Sequence, residues 1–291
     1  MATPAAEVHV DEPLVRALLA EQRPDLADLA VRVVGNGWDN AVVRVGDEWV
    51  ARLPRREMSA QLVLHEQQWL PVLAPLLPLP VPVPVFAGVP SARFPWHWSI
   101  CRWLPGHTAA EAPPIDQHET ALALAAFVRA LHRPAPADAP RNPYRGIALA
   151  GRAASVDGRI SVMDDLLDVP RTTRAWRELS ATPAWDGPAL WLHGDLHPSN
   201  MLTVDGRLSA VIDFGDITAG DPATDLALAW MMFDAPHRAL FRDTAGIDSD
   251  TWHRAAAWAV SLSLAYLSGD DESSMPAIGR TTLAAVLDEF A

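Results

Sequence analysis

Apolar positions in the first part of the chain recur at two spacings. Over residues 14–20 they fall at helical intervals, with Leu14, Val15, Leu18 and Leu19 on one face. A short apolar run at 31–34 then meets Gly35-Asn36-Gly37-Trp38-Asp39-Asn40, and β-branched Val42, Val43 and Val45 follow. Gly46-Asp47 is a two-residue hairpin signal leading into 49–53, so the pattern predicts three antiparallel strands. Residues 61–73 return to helical spacing, with Leu62, Trp69, Leu70 and Leu73 apolar and Glu66 among them. Pro75, Pro78, Pro80, Pro82 and Pro84 forbid a helix and predict an extended connection. Residues 98–104 then read as one more buried strand, closed by Pro105-Gly106.

Beyond that boundary the pattern is mainly helical. Residues 119–131 are amphipathic, while 134–160 are rich in Pro, Gly and Arg and read as loop. Short strands are expected at 190–192, 201–204 and 208–214, the last two joined across Asp205-Gly206-Arg207. Helices are expected over about 223–234, 250–267 and 277–290, the first with Asp221 as N-cap and Pro222 at its first position. The predicted class is α+β, with an antiparallel-sheet unit at 1–104 and a mainly helical unit at 105–291.

Composition narrows the chemistry. The 291 residues include 23 basic ones, all arginine, and no lysine. A GxxxxGK[ST] phosphate loop needs its lysine ammonium and a Schiff base needs an amine, so both are excluded. Cys101 is the single cysteine and cannot form an intramolecular disulfide or a thiolate metal site. The formal charge of −13 argues against non-specific nucleic-acid binding. It is unevenly spread: 11 acids and 9 arginines in 1–110 give −2, whereas 25 acids and 14 arginines in 111–291 give −11. The first residues carry acids without a basic signal-peptide region, and the most apolar helical stretch, 252–267, is interrupted by His253 and Arg254 and too short to span a bilayer. These features predict a cytoplasmic protein without membrane attachment, and the absence of heptads predicts a monomer.

The densest chemical signal is His193-Gly194-Asp195-Leu196-His197-Pro198-Ser199-Asn200, followed by Val211-Ile212-Asp213-Phe214-Gly215-Asp216. Phosphoryl transfer needs a carboxylate to accept or orient the attacking hydroxyl. It also needs an amide oxygen and a second carboxylate to hold Mg²⁺ against the phosphates. Asp195 and Asn200 lie five residues apart, as in the HRDxxxxN loop of kinases, and Asp213-Phe214-Gly215 is a DFG triplet at the end of a predicted hairpin. Asp195 is therefore the expected general base, with Asn200 and Asp213 as metal ligands. A competing reading makes His193, Asp195 and His197 a zinc site, although Pro198 opposes the helix on which H-x-x-x-H sites are usually built.

The run HGDLHPSN, with IDFGD and GDPATDLA, resembles the aminoglycoside phosphotransferases and related antibiotic kinases, whose fold is similar to that of protein kinases. The resemblance covers most of the chain and implies a two-lobed, protein-kinase-like fold using ATP or GTP with Mg²⁺. It implies that the loop containing Gly35 and Gly37 covers the phosphates, as glycines permit. It places Arg52, in Val50-Ala51-Arg52-Leu53, where kinases carry a phosphate-binding lysine, with Glu66 as its partner and Arg55 and Arg56 nearby. Cys101, Trp103 and Leu104 would border the adenine. His197 would stand near the transferred phosphate, and Asp225 would accept backbone donors from the catalytic loop.

The acceptor is the least legible part. An aminoglycoside is a polycation and needs carboxylates around its hydroxyl. Asp164, Asp165, Asp270, Asp271, Glu272, Asp288 and Glu289 are candidates, and the terminal LDEFA resembles the acidic end of some aminoglycoside kinases. Trp176, Trp185, Trp230, Trp252 and Trp258 would instead suit a macrolide, and an amino alcohol or sugar is a third possibility. The class-level competitor is a nucleotide-binding protein without transferase activity.

Overall fold

The structure, a computed structural model, describes residues 4–269 and 274–291. Helix α1 (Glu12–Gln22) starts where Asp11 accepts the Leu14 N–H at 2.8 Å, and it buries Val15, Leu18 and Leu19. Strands β1 (Val31–Asn36), β2 (Asn40–Val45) and β3 (Trp49–Pro54) form the expected antiparallel meander. The helix expected from residue 61 begins earlier, as α2 (Glu57–Leu73). Strands β4 (Pro84–Gly88) and β5 (Trp98–Arg102) complete a five-stranded sheet in the order β1-β2-β3-β5-β4. The proline ladder hides β4; proline is tolerated there because β4 is an edge strand and Pro84 opens it. Ala41, Val43, Leu53, Phe94, Trp98 and Ile100 form the centre of this first core.

The remainder is larger and mainly helical. It begins with β6 (His107–Thr108) and α3 (Gln117–Leu131). The stretch read as loop holds helix α4 (Ala153–Ile160), and α5 (Val169–Ser180) follows. Strand β7 (Leu190–Leu192) leads to the HGDLHPSN run, then to the hairpin β8 (Met201–Val204) and β9 (Arg207–Val211). Strand β9 ends three residues sooner than predicted, because Asp213 turns to φ +62 and Phe214 starts a tight turn. Short β10 (Thr218–Gly220) pairs with β7.

The predicted helix at 223–234 is divided into α6 (Ala223–Leu226) and α7 (Leu228–Met232), with Pro222 as the flanking residue. Asp221 accepts the Ala223 N–H at 3.0 Å and also pairs with Arg254 at 2.8 Å, so it anchors this corner to the next long helix. Helices α8 (Ala235–Ala245), α9 (Ser249–Leu267) and α10 (Met275–Phe290) finish the chain. Residues 255–260 of α9 are completely buried and form the axis of a second core. Leu70, Leu73 and Val81 join that core, so the end of α2 ties the sheet to the helical part.

Candidate active site

Residues 193–200 cross from β7 to β8 and are fixed mainly by one carboxylate. Asp225, in α6 and fully buried, accepts the N–H groups of His193 and Gly194, each at 2.8 Å, and meets His132 Nε2 at 3.2 Å. Gly194 takes φ +87, and a Cβ there would stand 2.2 Å from the Asp216 carbonyl oxygen. His193 is buried against Phe214; its Nδ1 accepts the Asp195 N–H at 3.2 Å and its Nε2 donates to the Ile212 carbonyl at 2.9 Å. Both ring nitrogens are thus engaged by backbone, which leaves no lone pair for the competing zinc reading.

The loop therefore aims Asp195 outward. His197 Nε2 lies 3.2 Å from Asp195 Oδ2, while His197 Nδ1 accepts the Ser199 N–H at 3.2 Å. That pattern puts the imidazole proton on Nε2, donating to Asp195. Arg145, from the connection before α4, donates through Nη2 to Asp195 Oδ1 at 3.1 Å. Burial would raise the Asp195 carboxyl, but His197 and Arg145 outweigh it and hold the group well below the usual carboxylate range. Asn200 donates its amide N–H to the Asp195 carbonyl at 2.9 Å, and its own carbonyl accepts the Ile212 N–H at 2.9 Å. That bond sets the residue before Asp213 against Asn200.

Arg52 closes the site from the sheet. Its Nη1 donates to Glu66 Oε1 and its Nη2 to Asp213 Oδ1, both at 2.7 Å. Burial opposes the guanidinium charge, but the two carboxylates outweigh it and raise its pKa. Glu66 moves the other way than an ion pair alone would take it: burial pushes it up to about 7, against the pull of Arg52 and the Phe214 N–H. The upward direction follows because Glu66 is 2% exposed and shares its guanidinium with Asp213, whose side chain is 54% exposed. Asp216, beyond the DFG triplet, accepts from Asn142 at 2.6 Å. Burial, then the Asp195 charge, push it up to about 6.

The glycine-bearing loop closes the β1–β2 hairpin, and Gly37 donates to the Asn40 carbonyl at 2.8 Å. A Cβ on Gly35 would meet nothing within 4 Å, so there is open space beside its backbone. Arg55 and Arg56 do not reach toward Asp213. They hold this turn instead, through the Gly37 carbonyl at 2.8 Å and Asp39 Oδ1 at 3.0 Å. The Asp39 charge also acts on Asp216.

Within β5, next to its last residue, Cys101 is buried, with its thiol pushed up to about 12 by burial. Trp103 is engaged elsewhere: its N–H donates to the Glu48 carbonyl at 2.7 Å and its ring lies under Arg44 at 4.0 Å. Leu104 keeps a backbone N–H without a partner among the described residues.

Among the described residues, none of the carboxylates expected for a polycation contacts Asp195, whose carboxylate meets Arg145 and His197. Asp164 and Asp165 are exposed. Asp288 pairs with Arg171, and Glu289 accepts from Trp230, Trp252 and Arg238 inside the helical part. Asp270, Asp271 and Glu272 lie outside the described residues. Trp176, Trp230, Trp252 and Trp258 are core residues, and Trp185 is half-buried under Arg254. What the sequence reading missed is Arg145 itself, together with Asn142 and Tyr266 around it; the arginine density of 134–160 was the signal available.

A small antiparallel sheet over a mainly helical part, with a glycine turn, an Arg–Glu pair and a DFG aspartate along one cleft, defines the protein-kinase-like class. Residues 30–258 match the model of the phosphotransferase enzyme family, APH, and the chain belongs to that family. It is 26% identical over 215 residues to the uncharacterized protein YcbJ of Bacillus subtilis (strain 168), covering 68% of each chain. Among solved structures, the GDP complex of aminoglycoside 2'-phosphotransferase-IIIa has a TM-score of 0.73 at 21% identity, covering 96% of this chain and 99% of that one. Macrolide 2'-phosphotransferase MphH from Brachybacterium faecium has a TM-score of 0.63 at 23% identity, covering 94% and 98%. At those identities the structural likeness establishes the shared fold. Among the described residues, no helix is long and apolar enough to cross a membrane.

Proposed function

We propose that the protein transfers the γ-phosphate of ATP or GTP to a hydroxyl of a small molecule, acting as a cytoplasmic monomer with residues 1–104 as the nucleotide lobe and 105–291 as the catalytic lobe. The observation that carries this reading is Asp195, held ionised by His197 and Arg145 on a loop that also presents Asn200 and is buttressed by Asp225. Complexes of related enzymes with GDP and ATP support a purine nucleotide as donor. A related enzyme bound to GDP and kanamycin, and another that is a macrolide phosphotransferase, support a small-molecule acceptor.

The acceptor hydroxyl donates to Asp195, whose fixed negative charge orients an oxygen lone pair toward the γ-phosphorus. The new O–P bond forms as the bond from the γ-phosphorus to the β–γ bridging oxygen breaks. The hydroxyl proton passes to Asp195, and ADP or GDP leaves with the electron pair. Arg52 faces the phosphates with its charge secured by Glu66, and His197 holds Asp195 in register. Gly35 and Gly37 let the turn approach the phosphates, while Cys101 at the end of β5 and Leu104 in the connection after it border the base. The exposed Asp213 carboxylate and the adjacent Asn200 amide are hard oxygen donors that fit Mg²⁺. When bound there, the ion would neutralise phosphate charge.

Replacing Asp195 with Asn tests the assignment. Nucleotide binding by calorimetry stays close to wild type, while transfer falls by roughly 100-fold or more, as expected for loss of a general base. Wild-type binding without transfer to any acceptor would favour the non-catalytic nucleotide-binding alternative.

A further inference from the structure

Beside Asp195 the wall of the cleft is cationic. Arg145 contacts the aspartate through Nη2, but its Nε is buried with no hydrogen-bond partner among the described residues. Arg152, at the start of α4, donates to Ser261 Oγ at 3.2 Å and lies 5.6 Å from the Trp258 ring centroid. Among the described residues, Arg159, at the other end of α4, donates only to Ser155 on its own helix. Among the described residues neither Arg152 nor Arg159 meets a carboxylate. Burial first, then the charges of Arg145 and Arg159, draw Arg152 below the usual arginine range, and burial followed by Arg145 does the same to Arg159.

A fourth group faces the same place. Tyr266, on α9, is 8% exposed, and its buried hydroxyl has no hydrogen-bond partner among the described residues. Its ring stands edge-on to His197 with centroids 5.8 Å apart, and the charges of Asp195, Arg145 and Asp216 all act on it. A buried hydroxyl and guanidinium left with unused donors are costly unless something accepts from them. An aminoglycoside ammonium would meet repulsion here, while an oxyanion would satisfy both.

We propose that Arg145, Arg152, Arg159 and Tyr266 bind an anionic group of the acceptor, so that the hydroxyl phosphorylated at Asp195 belongs to a hydroxy acid or a sugar phosphate. The inference rests on the phosphotransferase reading above and names the acceptor class of that same site. Carboxylate and phosphate share the required chemistry: two or more oxygens able to take a guanidinium fork. Arg145 then links the two functions, its Nη2 on Asp195 and its Nε free for the acceptor's anion.

The test is nucleotide consumption by the whole protein with Mg·ATP and Mg·GTP, offered D-glycerate, D-ribose 5-phosphate, kanamycin or erythromycin. Consumption with an anionic compound is expected, and which of the two is used distinguishes carboxylate from phosphate. Arg159→Gln raises the KM for that acceptor about tenfold, the loss expected for one charge-assisted contact, and leaves the nucleotide KM unchanged. Arg145→Lys, which keeps charge but loses the fork, moves acceptor KM and kcat together. Consumption with kanamycin or erythromycin and neither anion overturns the proposal. So does a rise in nucleotide KM in both variants without a change in acceptor KM, which would assign the arginines to the donor. If no compound is consumed, calorimetric titration with sulfate decides. Binding weakened about tenfold by Arg159→Gln supports the anion site while the transferase reading fails, and no binding overturns the site as well.

Discussion

Arg52 reaches two carboxylates at once because a guanidinium offers donors along two edges; a lysine ammonium is a single point and cannot span Glu66 and Asp213 in the same way. Arg52→Lys is therefore expected to weaken nucleotide binding in calorimetry. Arg52→Met should cost about 3–5 kcal/mol in urea unfolding, since it leaves Glu66 buried without its partner, and the added change Glu66→Leu should recover a large part of that loss. Both members of this pair were legible in the sequence, as the centre of an apolar strand and the one acid among apolar helix positions, with the resemblance supplying the partnership. Arg145 was not legible. Its segment has no periodicity, so no pattern says which carboxylate fifty positions downstream it will meet.

At the scale of elements, the catalytic loop depends on a close crossing. The peptide at Gly194 passes so near the Asp216 carbonyl that any side chain must push the β7 connection and the DFG turn apart. Gly194→Ala should lower stability by about 2 kcal/mol or more and cut kcat more steeply than it alters nucleotide affinity, checked by unfolding and steady-state kinetics. Elements with strong periodicity, such as β1–β3, α2, α3, α9 and α10, were readable because one face is continuously apolar. Those with few buried positions were not. Helix α4 buries only Val156 and Ile160 and contains Gly158, while α5 hides a stripe of Thr172, Ala175, Trp176 and Leu179 among arginines. Strands β6 and β10, at two and three residues, are too short to show alternation and exist through their partners.

Over the whole molecule, two buried acids set the response to pH. Glu66 at about 7 and Asp216 at about 6 bind protons more tightly folded than unfolded, so the native state holds more protons between the ordinary carboxylate range and neutrality. Stability of the nucleotide-free protein should fall as pH rises through roughly 5 to 7, read as a drop of a few degrees in Tm. Asp195 acts oppositely: its stabilisation is complete above the ordinary carboxylate range and is lost progressively as pH falls below that range toward its own depressed value. The sheet and the helical part keep separate cores joined at Leu70, Leu73 and Val81, which leaves the cleft between them lined by charge rather than by packing. Arg52 at the head of that cleft also decides which reagents can reach the protein covalently. An adenosine analogue armed with an amine-seeking electrophile labels a kinase through its phosphate-binding lysine, but here the corresponding nitrogen is a resonance-stabilised guanidinium in a chain without one lysine. Such probes should occupy the site reversibly and leave it unmarked.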